Sequence, residues 1–459
     1  LLALNAPLKN GGPSATDTVN NFVSGDYSQS VGLTGSTSGA FKHIDTGLPF
    51  DSVLMGDADI HIATWVKGAP DSGITMQIGG PPYAGLIVGA SGQTSWYVNS
   101  GTSTVDVPDN GVGFYVGTRT SSSSSVLYKN GISVASGASA GGTRVSGNIL
   151  FHCQLLNTFP TNSTARPFEF YSVGTGLTAT DATNLTNRYA TLRTILGRGW
   201  SSDVIRLGGA TPSAGTVTAL NTFVAGLSSA GILTKMLSVN AIVPDNLTAS
   251  RVPIICNAGL ELWTNTAFVG GDLTVNGLKG DGATKYLNTG IAPNALIVPS
   301  TNFGMTVVSP DSASNTTGCQ CGSYNSLNSN NDTGMFINFG GDAYVECCGF
   351  GSGWNIQVTP QPGNGYYSSN RVSTTNLKLY FANQANAHAQ VGSATTASGA
   401  ALASVLYAFA SRNTNGIAGL FDAKRLSLIA FHLGLTSAES ATFYSLIAAL
   451  RTSLGGGNP

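Results

Sequence analysis

Charge is scarce in this 459-residue chain: Asp, Glu, Lys and Arg together make up 9%, against roughly a quarter of an ordinary soluble domain. The formal net charge is −1. That leaves no basic stripe to neutralise phosphates, so neither nucleic acid nor an anionic membrane is an expected partner. Long apolar runs are also missing, and nothing approaches the ~18 residues that a membrane-spanning helix requires. Neither a signal peptide nor an initiator Met is visible in a sequence that starts at Leu1. Glu occurs only as Glu169, Glu261, Glu346 and Glu439, which restricts acid–base chemistry from the outset.

What is present is an apolar fraction of 42% and 59 glycines. A core can form, but its surface must be covered by Ser, Thr, Asn and Gly. Such a surface loses little charge hydration when it meets another like it. The same surface suits simple neutral solubility equally; of the two, self-association into an oligomer or filament is the expected partnership, and the expected setting is extracellular or virion.

The chain repeats itself. Phe22-Val23-Ser24-Gly25-Asp26 returns as Phe268-Val269-Gly270-Gly271-Asp272, and Lys42 with Thr46-Gly47 returns as Lys285 with Thr289-Gly290. Gly113, Arg119, Leu127 and Tyr128 match Gly365, Arg371, Leu379 and Tyr380. Phe168, Phe170, Leu177 and Leu192 match Leu426, Leu428, Leu435 and Leu450. A long-period repeat fixes the architecture before any motif is weighed. The spacing predicts two homologous domains, 1–199 and 247–459, joined by a connector at 200–246. Leu1 aligns with Leu247, so the connector has no counterpart ahead of the first copy. A trimmed precursor, an upstream part outside this sequence, and a segment that is only a connector all fit that pattern.

Most local signals are strand signals. Ile60, Ile62, Thr64 and Val66 alternate with His61, Ala63 and Trp65, the period of a strand with two different faces. Val126 to Lys129 runs into Asn130-Gly131 and on to Ile132 and Val134; both turn residues tolerate the positive φ of a type I′ hairpin. Each copy ends in a helix. Thr178 with Asp181, and Thr436 with Glu439, have the spacing of a capping box, and Gly197 and Gly455 supply the stops. A further helix is expected at about 214–230, with Val217, Leu220, Val224 and Leu227 on one side.

These landmarks together resemble the concanavalin A-like/laminin G-like jelly roll, in particular the versions found in phage tail and other virion proteins. They are a strand ending in Thr-Gly, the stretch Gly113-Phe114-Tyr115-Val116-Gly117-Thr118-Arg119, the Asn130-Gly131 hairpin and a closing Leu-Thr-x-x-Asp helix. The resemblance implies an all-β chain of two tandem antiparallel β-sandwiches, each closed by one C-terminal helix. That fold hosts lectins, adhesion modules, glycosidases and spacers, so it does not choose among functions.

The residues argue against an enzyme. Retaining glycoside hydrolysis needs two carboxylates about 5 Å apart, and no Glu lies in a Glu-x-Asp-x-x-Glu strand or recurs in the other copy. Glu439 reads as a helix cap and Glu169 as an outward strand residue or a neighbour of Arg166. The histidines are scattered, and His61 aligns with Gly304. Asp57, Asp59 and His61 share a strand face, but the matching stretch has Ser300, Asn302 and Gly304, so no metal and no cofactor is expected. Cys153 alternates with Ile149 and Phe151 as a core thiol. Cys319 and Cys321 on one run, with Cys347 and Cys348 on another, are disulfide candidates if the two runs are neighbouring strands. Sugar binding would need an exposed aromatic platform with amide groups nearby; Trp96, Tyr97 and Asn99, and Trp354 with Asn355, are the candidates, although a Trp buried between sheets is the commoner case.

The expected function is a non-enzymatic structural or adhesive protein, a repeating subunit of a virion appendage such as a phage tail or fibre, or of an extracellular filament. Residues 1–21 are expected to be available for donation as a strand to a neighbouring subunit. The alternative is a soluble carbohydrate-binding lectin that recognises a cell-surface glycan; a polysaccharide-active enzyme ranks third.

Overall fold

A computed structural model describes residues 18–23, 26–28, 32–35, 42–49, 59–67, 78–80, 84–90, 93–97, 105–108, 112–138, 147–156, 159–161, 164–195, 200–257, 260–295, 301–312, 318–324, 332–347, 355–359, 361–399 and 404–457. The chain divides into two compact units, Leu1–Arg198 and Gly199–Pro459. Both are antiparallel β-sandwiches, and the chain is all-β with few helices.

The first unit has two seven-stranded sheets. One is centred on His43–Pro49, Asn148–Phe151, Ala84–Ala90 and Gln93–Tyr97, the other on Ile60–Val66, Gly113–Ser121, Ser124–Lys129 and Pro167–Gly174. Alternation places one side chain in two between the sheets. There Trp96 lies against Gly117, and the rings of Phe151 and Tyr171 stack at 3.8 Å. The Asn130-Gly131 turn has φ of 53° and 81°, as a type I′ hairpin requires. Helix α1 (Ala179–Ile195) begins at the Thr178–Asp181 capping box, with Asp181 N–H donating to Thr178 Oγ1 at 3.2 Å. Ala182 and Tyr189 then bury against Ala63, Phe114 and Val116 on the back of the second sheet.

The second unit repeats this plan with additions. Its back sheet contains Leu428–His432, Phe303–Ser309, Gly365–Ser373 and Asn376–Ala382. The segment 200–246 supplies α2 (Trp200–Arg206), α3 (Ala214–Ser229) and the strand Met236–Asn240, which pairs with Leu428–His432. In α3, Leu220, Phe223 and Leu227 pack into the same core cluster as Phe443, Ile447 and Leu450 of α4 (Ser437–Ser453). The Thr436–Glu439 capping box opens α4, and Gly455 closes it at φ 77°. The front sheet runs Thr264–Thr266, Tyr286–Asn288, Tyr407–Ala408, Cys321–Tyr324, Thr333–Phe339, Asp342–Cys347 and Ile356–Val358. Ser411–Asn413 and Ala418–Gly419 form a hairpin beside it.

Sequence repetition corresponds to repetition of particular bonds. Asp26 and Asp272 each accept the N–H of an exposed valine, Val23 at 2.7 Å and Val269 at 2.8 Å, and each pairs with a lysine, Lys42 or Lys285. Thr46 and Thr289 donate to the carbonyls of Ile149 and Leu406 at 2.9 and 2.7 Å. Asp59 accepts the Gly176 N–H at 2.6 Å, as Asn302 accepts that of Gly434 at 2.8 Å. These bonds close turns and join strands, so they account for what both copies keep.

Residues 1–17 lie outside the described residues, and Thr18–Asn20 pairs with His43–Asp45 of its own chain. That pairing removes Thr18–Asn20 from any strand donated elsewhere.

Candidate functional site

In a scaffold that repeats its structural bonds, side chains that differ between the copies are where function is sought. The front sheet of the second unit holds the clearest difference. Leu287, Ala408, Cys321, Met335, Val345 and Ile356 lie in register across it and are all buried, so they mark its inner face. By alternation Tyr286, Asn288 and Tyr407 lie on the opposite face, where Tyr286 and Asn288 are half-buried and Tyr407 is buried. Tyr286 and Tyr407 stack there at 4.6 Å between centroids and 18° between planes. Phe421 lies 6.2 Å beyond Tyr286, and the Arg412 guanidinium stands 5.8 Å from the Tyr407 centroid. Phe421, Tyr286, Tyr407 and Arg412 thus form a row across two strands and the adjoining hairpin.

The local sequence explains the row. Asn288 is opposite Tyr407, and Thr266 and Thr264 are opposite Tyr286 and Asn288, so hydroxyl and amide groups surround the aromatics. Asn288 Oδ1 accepts the Gly290 N–H at 2.9 Å. Arg412 sits at the base of a tight hairpin whose Asn413 Oδ1 accepts the Ile417 N–H at 2.8 Å. That hairpin also exposes Ile417, 63% accessible. Burial raises the Tyr407 hydroxyl above the usual phenol range, with the Arg412 guanidinium opposing, so Tyr407 stays a neutral donor and acceptor at pH 7. Ring faces between members of the row are used up by stacking. Tyr407 is 6% exposed and its hydroxyl is engaged by Arg412 and Tyr286, so what the row offers a ligand is the edges of the half-buried Tyr286 and Phe421 and the half-buried Arg412 guanidinium. In the first copy the equivalent positions hold His43 and Leu150, which cannot form it.

The residues singled out from sequence lie elsewhere. Trp96 is 0% exposed between the sheets of the first unit, where a Cβ at Gly117 would run into its ring. Its faces are spent on packing, so it is corrected from sugar platform to core. Tyr97 is half-buried on the same strand, Asn355 is half-buried beside Ile356–Val358, and Asn99 and Trp354 lie outside the described residues. The disulfide expectation is corrected as well. Cys321 pairs with Met335 on one side of the central strand, and Cys347 pairs with Thr333 on the other, so their strands are not neighbours. Two strand steps of ~4.8 Å exceed the ~7 Å Cα separation a disulfide can bridge. Cys319 and Cys321 are buried free thiols, as is Cys153, whose burial pushes it up to about 12. Cys348 and the side chain of Cys347 lie outside the described residues.

Glu169, Glu261 and Glu439 serve structure, and the side chain of Glu346 lies outside the described residues. Glu169 is fully buried rather than outward, pairing with Lys67 at 2.7 Å and Arg193 at 2.7 Å while Tyr189 donates to it at 2.9 Å. Glu261 pairs with Arg206 at 2.9 Å, and Glu439 caps α4 while pairing with Lys235 at 2.6 Å. Both nitrogens of His61 are engaged, Nδ1 with the Thr175 carbonyl at 2.6 Å and Nε2 with Ser172 Oγ at 2.9 Å. Asp59 meanwhile accepts a backbone N–H, and Asp57 lies outside the described residues.

No family model and no curated protein matches the sequence. Among solved structures, the chain is similar to the binding domain of botulinum neurotoxin serotype D, with 10% identity over 92% of each chain and a TM-score of 0.32. The binding domain of Paraclostridial mosquitocidal protein 1 shares 10% identity over 84% of this chain and 87% of that one, at a TM-score of 0.27. Domain 4 of AbnA, an extracellular arabinanase of Geobacillus stearothermophilus in complex with arabinotriose, shares 15% identity over 37% of this chain and 88% of that one, at 0.24. All three TM-scores are below 0.5, so the likeness does not extend to a closely superposable fold.

Proposed function

We propose that this chain is a non-enzymatic structural or adhesive protein whose adhesive element is the outer face of the second sandwich, which holds a glycan. The observation that carries the reading is the row Phe421, Tyr286, Tyr407 and Arg412, set among Thr264, Thr266 and Asn288 and built in one copy of a duplicated scaffold. Sugars present hydroxyls beside patches of C–H. Hydroxyls, amides and aromatic edges on a rigid sheet match that surface without the entropy cost of ordering a loop. A glycan array probed with the full chain tests this. Binding that disappears in Tyr286→Ala supports it, and binding equal in both proteins refutes it.

The proposed setting is extracellular or virion, with the chain as a repeating subunit of an appendage such as a phage tail or fibre, or of an extracellular filament. Its support is compositional: at 9% charged residues, copies of this surface meet with little desolvation cost. The absence of a helix long and apolar enough to cross a membrane, among the described residues, fits that setting. Electron micrographs of the native material would show particles or filaments; a field of free monomers would favour a soluble lectin that uses the same face.

A further inference from the structure

Arg412 differs from the other cations around it. Within the same unit Lys285 pairs with Asp272 at 2.6 Å, Lys279 with Asp311 at 2.6 Å, Lys235 with Glu439 at 2.6 Å and Arg206 with Glu261 at 2.9 Å. The buried guanidinium of Arg371 is held instead by the carbonyls of Thr374 and Thr396, both at 2.9 Å. Arg412 has neither arrangement. No carboxylate among the described residues contacts it, its Nε is buried without a partner, and its charge faces only the Tyr407 ring and hydroxyl. The hairpin wraps closely round it: Gly416 has φ 85°, and a Cβ there would come within 3.2 Å of Nη2. A half-buried guanidinium that has no counter-ion among the described residues is a preorganised seat for a planar anion.

From this we infer that the ligand of the outer face carries a carboxylate, which Arg412 binds, so that the glycan is an acidic one containing uronic or other carboxylated sugars. The inference rests on the proposed glycan-binding role of this face and adds its specificity. Tyr286 supplies an edge contact to the ring of the acidic sugar, with the buried Tyr407 backing it, while the guanidinium Nη groups donate to its carboxylate. A neutral sugar would leave that charge as it stands in the free protein, half-desolvated and unpaired. Discrimination therefore comes from one charge-assisted contact rather than from a general basic surface, in keeping with the net charge of −1.

The test compares oligogalacturonate with the same oligomer methyl-esterified, by titration calorimetry on the full chain, with wild type, Arg412→Gln and Arg412→Lys. Circular dichroism of both variants confirms folding. Wild type should bind the acid form at least about tenfold more tightly than the ester, as expected for loss of a charge-assisted contact. Arg412→Gln should abolish that preference and Arg412→Lys should keep part of it. Equal binding of acid and ester, or a preference that survives Arg412→Gln, overturns the inference. So does binding of a sulfated galactan with no binding of the carboxylated oligomer. If neutral glycans bind in a Tyr286-dependent way while the acid form does not, the carboxylate assignment fails and the glycan-binding role stands. If no glycan binds at all, both fall.

Discussion

His432 fills, from one strand, the place that His61 fills from the strand opposite. In the first sandwich His61 faces Gly174, and its Cε1 would lie 3.0 Å from a Cβ there; in the second, Gly304 faces His432, whose Nδ1 would lie 2.6 Å from a Cβ on Gly304. The next pair is exchanged too: Ala63 opposite Ser172 becomes Thr306 opposite Ala430. Each imidazole Nε2 still meets a hydroxyl, Ser172 Oγ or Thr306 Oγ1, at 2.9 Å. Each Nδ1 meets the carbonyl of the equivalent residue, Thr175 at 2.6 Å or Leu433 at 2.8 Å. One imidazole, one hydroxyl, one glycine and one alanine are kept in each sandwich with the strands interchanged.

The exchange predicts strong coupling. Gly304→His alone puts two imidazoles into one space and should destabilise the second sandwich by about 3 kcal/mol, at the upper end of overpacking costs. Adding His432→Gly should restore most of that loss, giving an interaction energy above about 1 kcal/mol in urea unfolding. Purely additive losses would contradict the exchange.

Buried histidines set the acid limit. Burial pushes His432 down to about 4 and His152 down to about 3, and lowers His61 as well. A folded-state pKa below the unfolded value of ~6.5 means that the unfolded chain binds the proton first. Their contribution is full above about pH 6.5 and falls as pH drops toward 4, at up to ~1.4 kcal/mol per pH unit for each histidine. His152→Phe tests the sign. The second copy carries Phe409 there with nearly the same backbone, φ 65° against 69°, and the same ring contact, to Phe268 instead of Phe22. Urea midpoints of this variant should depend less on pH between 6.5 and 4 than those of wild type; an unchanged dependence would count against the assignment.

Glu169 should behave as the counter-ion of a buried cluster. Glu169→Gln leaves Lys67 and Arg193 without their carboxylate, a loss of about 3–5 kcal/mol for a broken buried pair. Glu169→Leu combined with Lys67→Met should cost much less, because no uncompensated buried charge remains on the lysine side. Thermal unfolding of the two variants checks the order; equal losses would place the stability of this region in packing instead.

The strand frames, the Asn130-Gly131 hairpin and the capping boxes at Thr178 and Thr436 were legible in the sequence because each is decided within a few residues. Glu169 was misread because Lys67 and Arg193 reach it from another strand and from α1. The disulfide reading failed for a related reason: order across a sheet is not written in chain order, and Thr333–Phe339 separates Cys321 from Cys347. Aligning His61 with Gly304 hid the imidazole that returns at His432, since the exchange is visible only across paired strands. The row from Phe421 to Arg412 was missed because Tyr286 lies far from the others along the chain. Its signal was present as tyrosines at positions where the first copy has His43 and Leu150.

Thiol chemistry offers an independent check of the front sheet. Burial raises the thiols of Cys319 and Cys321 well above the ordinary range, so neither should react with iodoacetamide in the folded protein at pH 8. Both should react after unfolding. A disulfide joining either of them to Cys347, found by non-reducing peptide mapping, would contradict the strand order.

The proposed ligand site belongs to the second sandwich and not to the first. Equilibrium binding of an array-selected glycan to Tyr286→Ala and to His43→Ala, changed at equivalent positions of the two copies, tests it most directly. Tyr286→Ala should weaken binding at least about tenfold, the loss of roughly 1.4 kcal/mol of contact, while His43→Ala leaves it as in wild type. Equal binding by both variants, or a loss confined to His43→Ala, would contradict it.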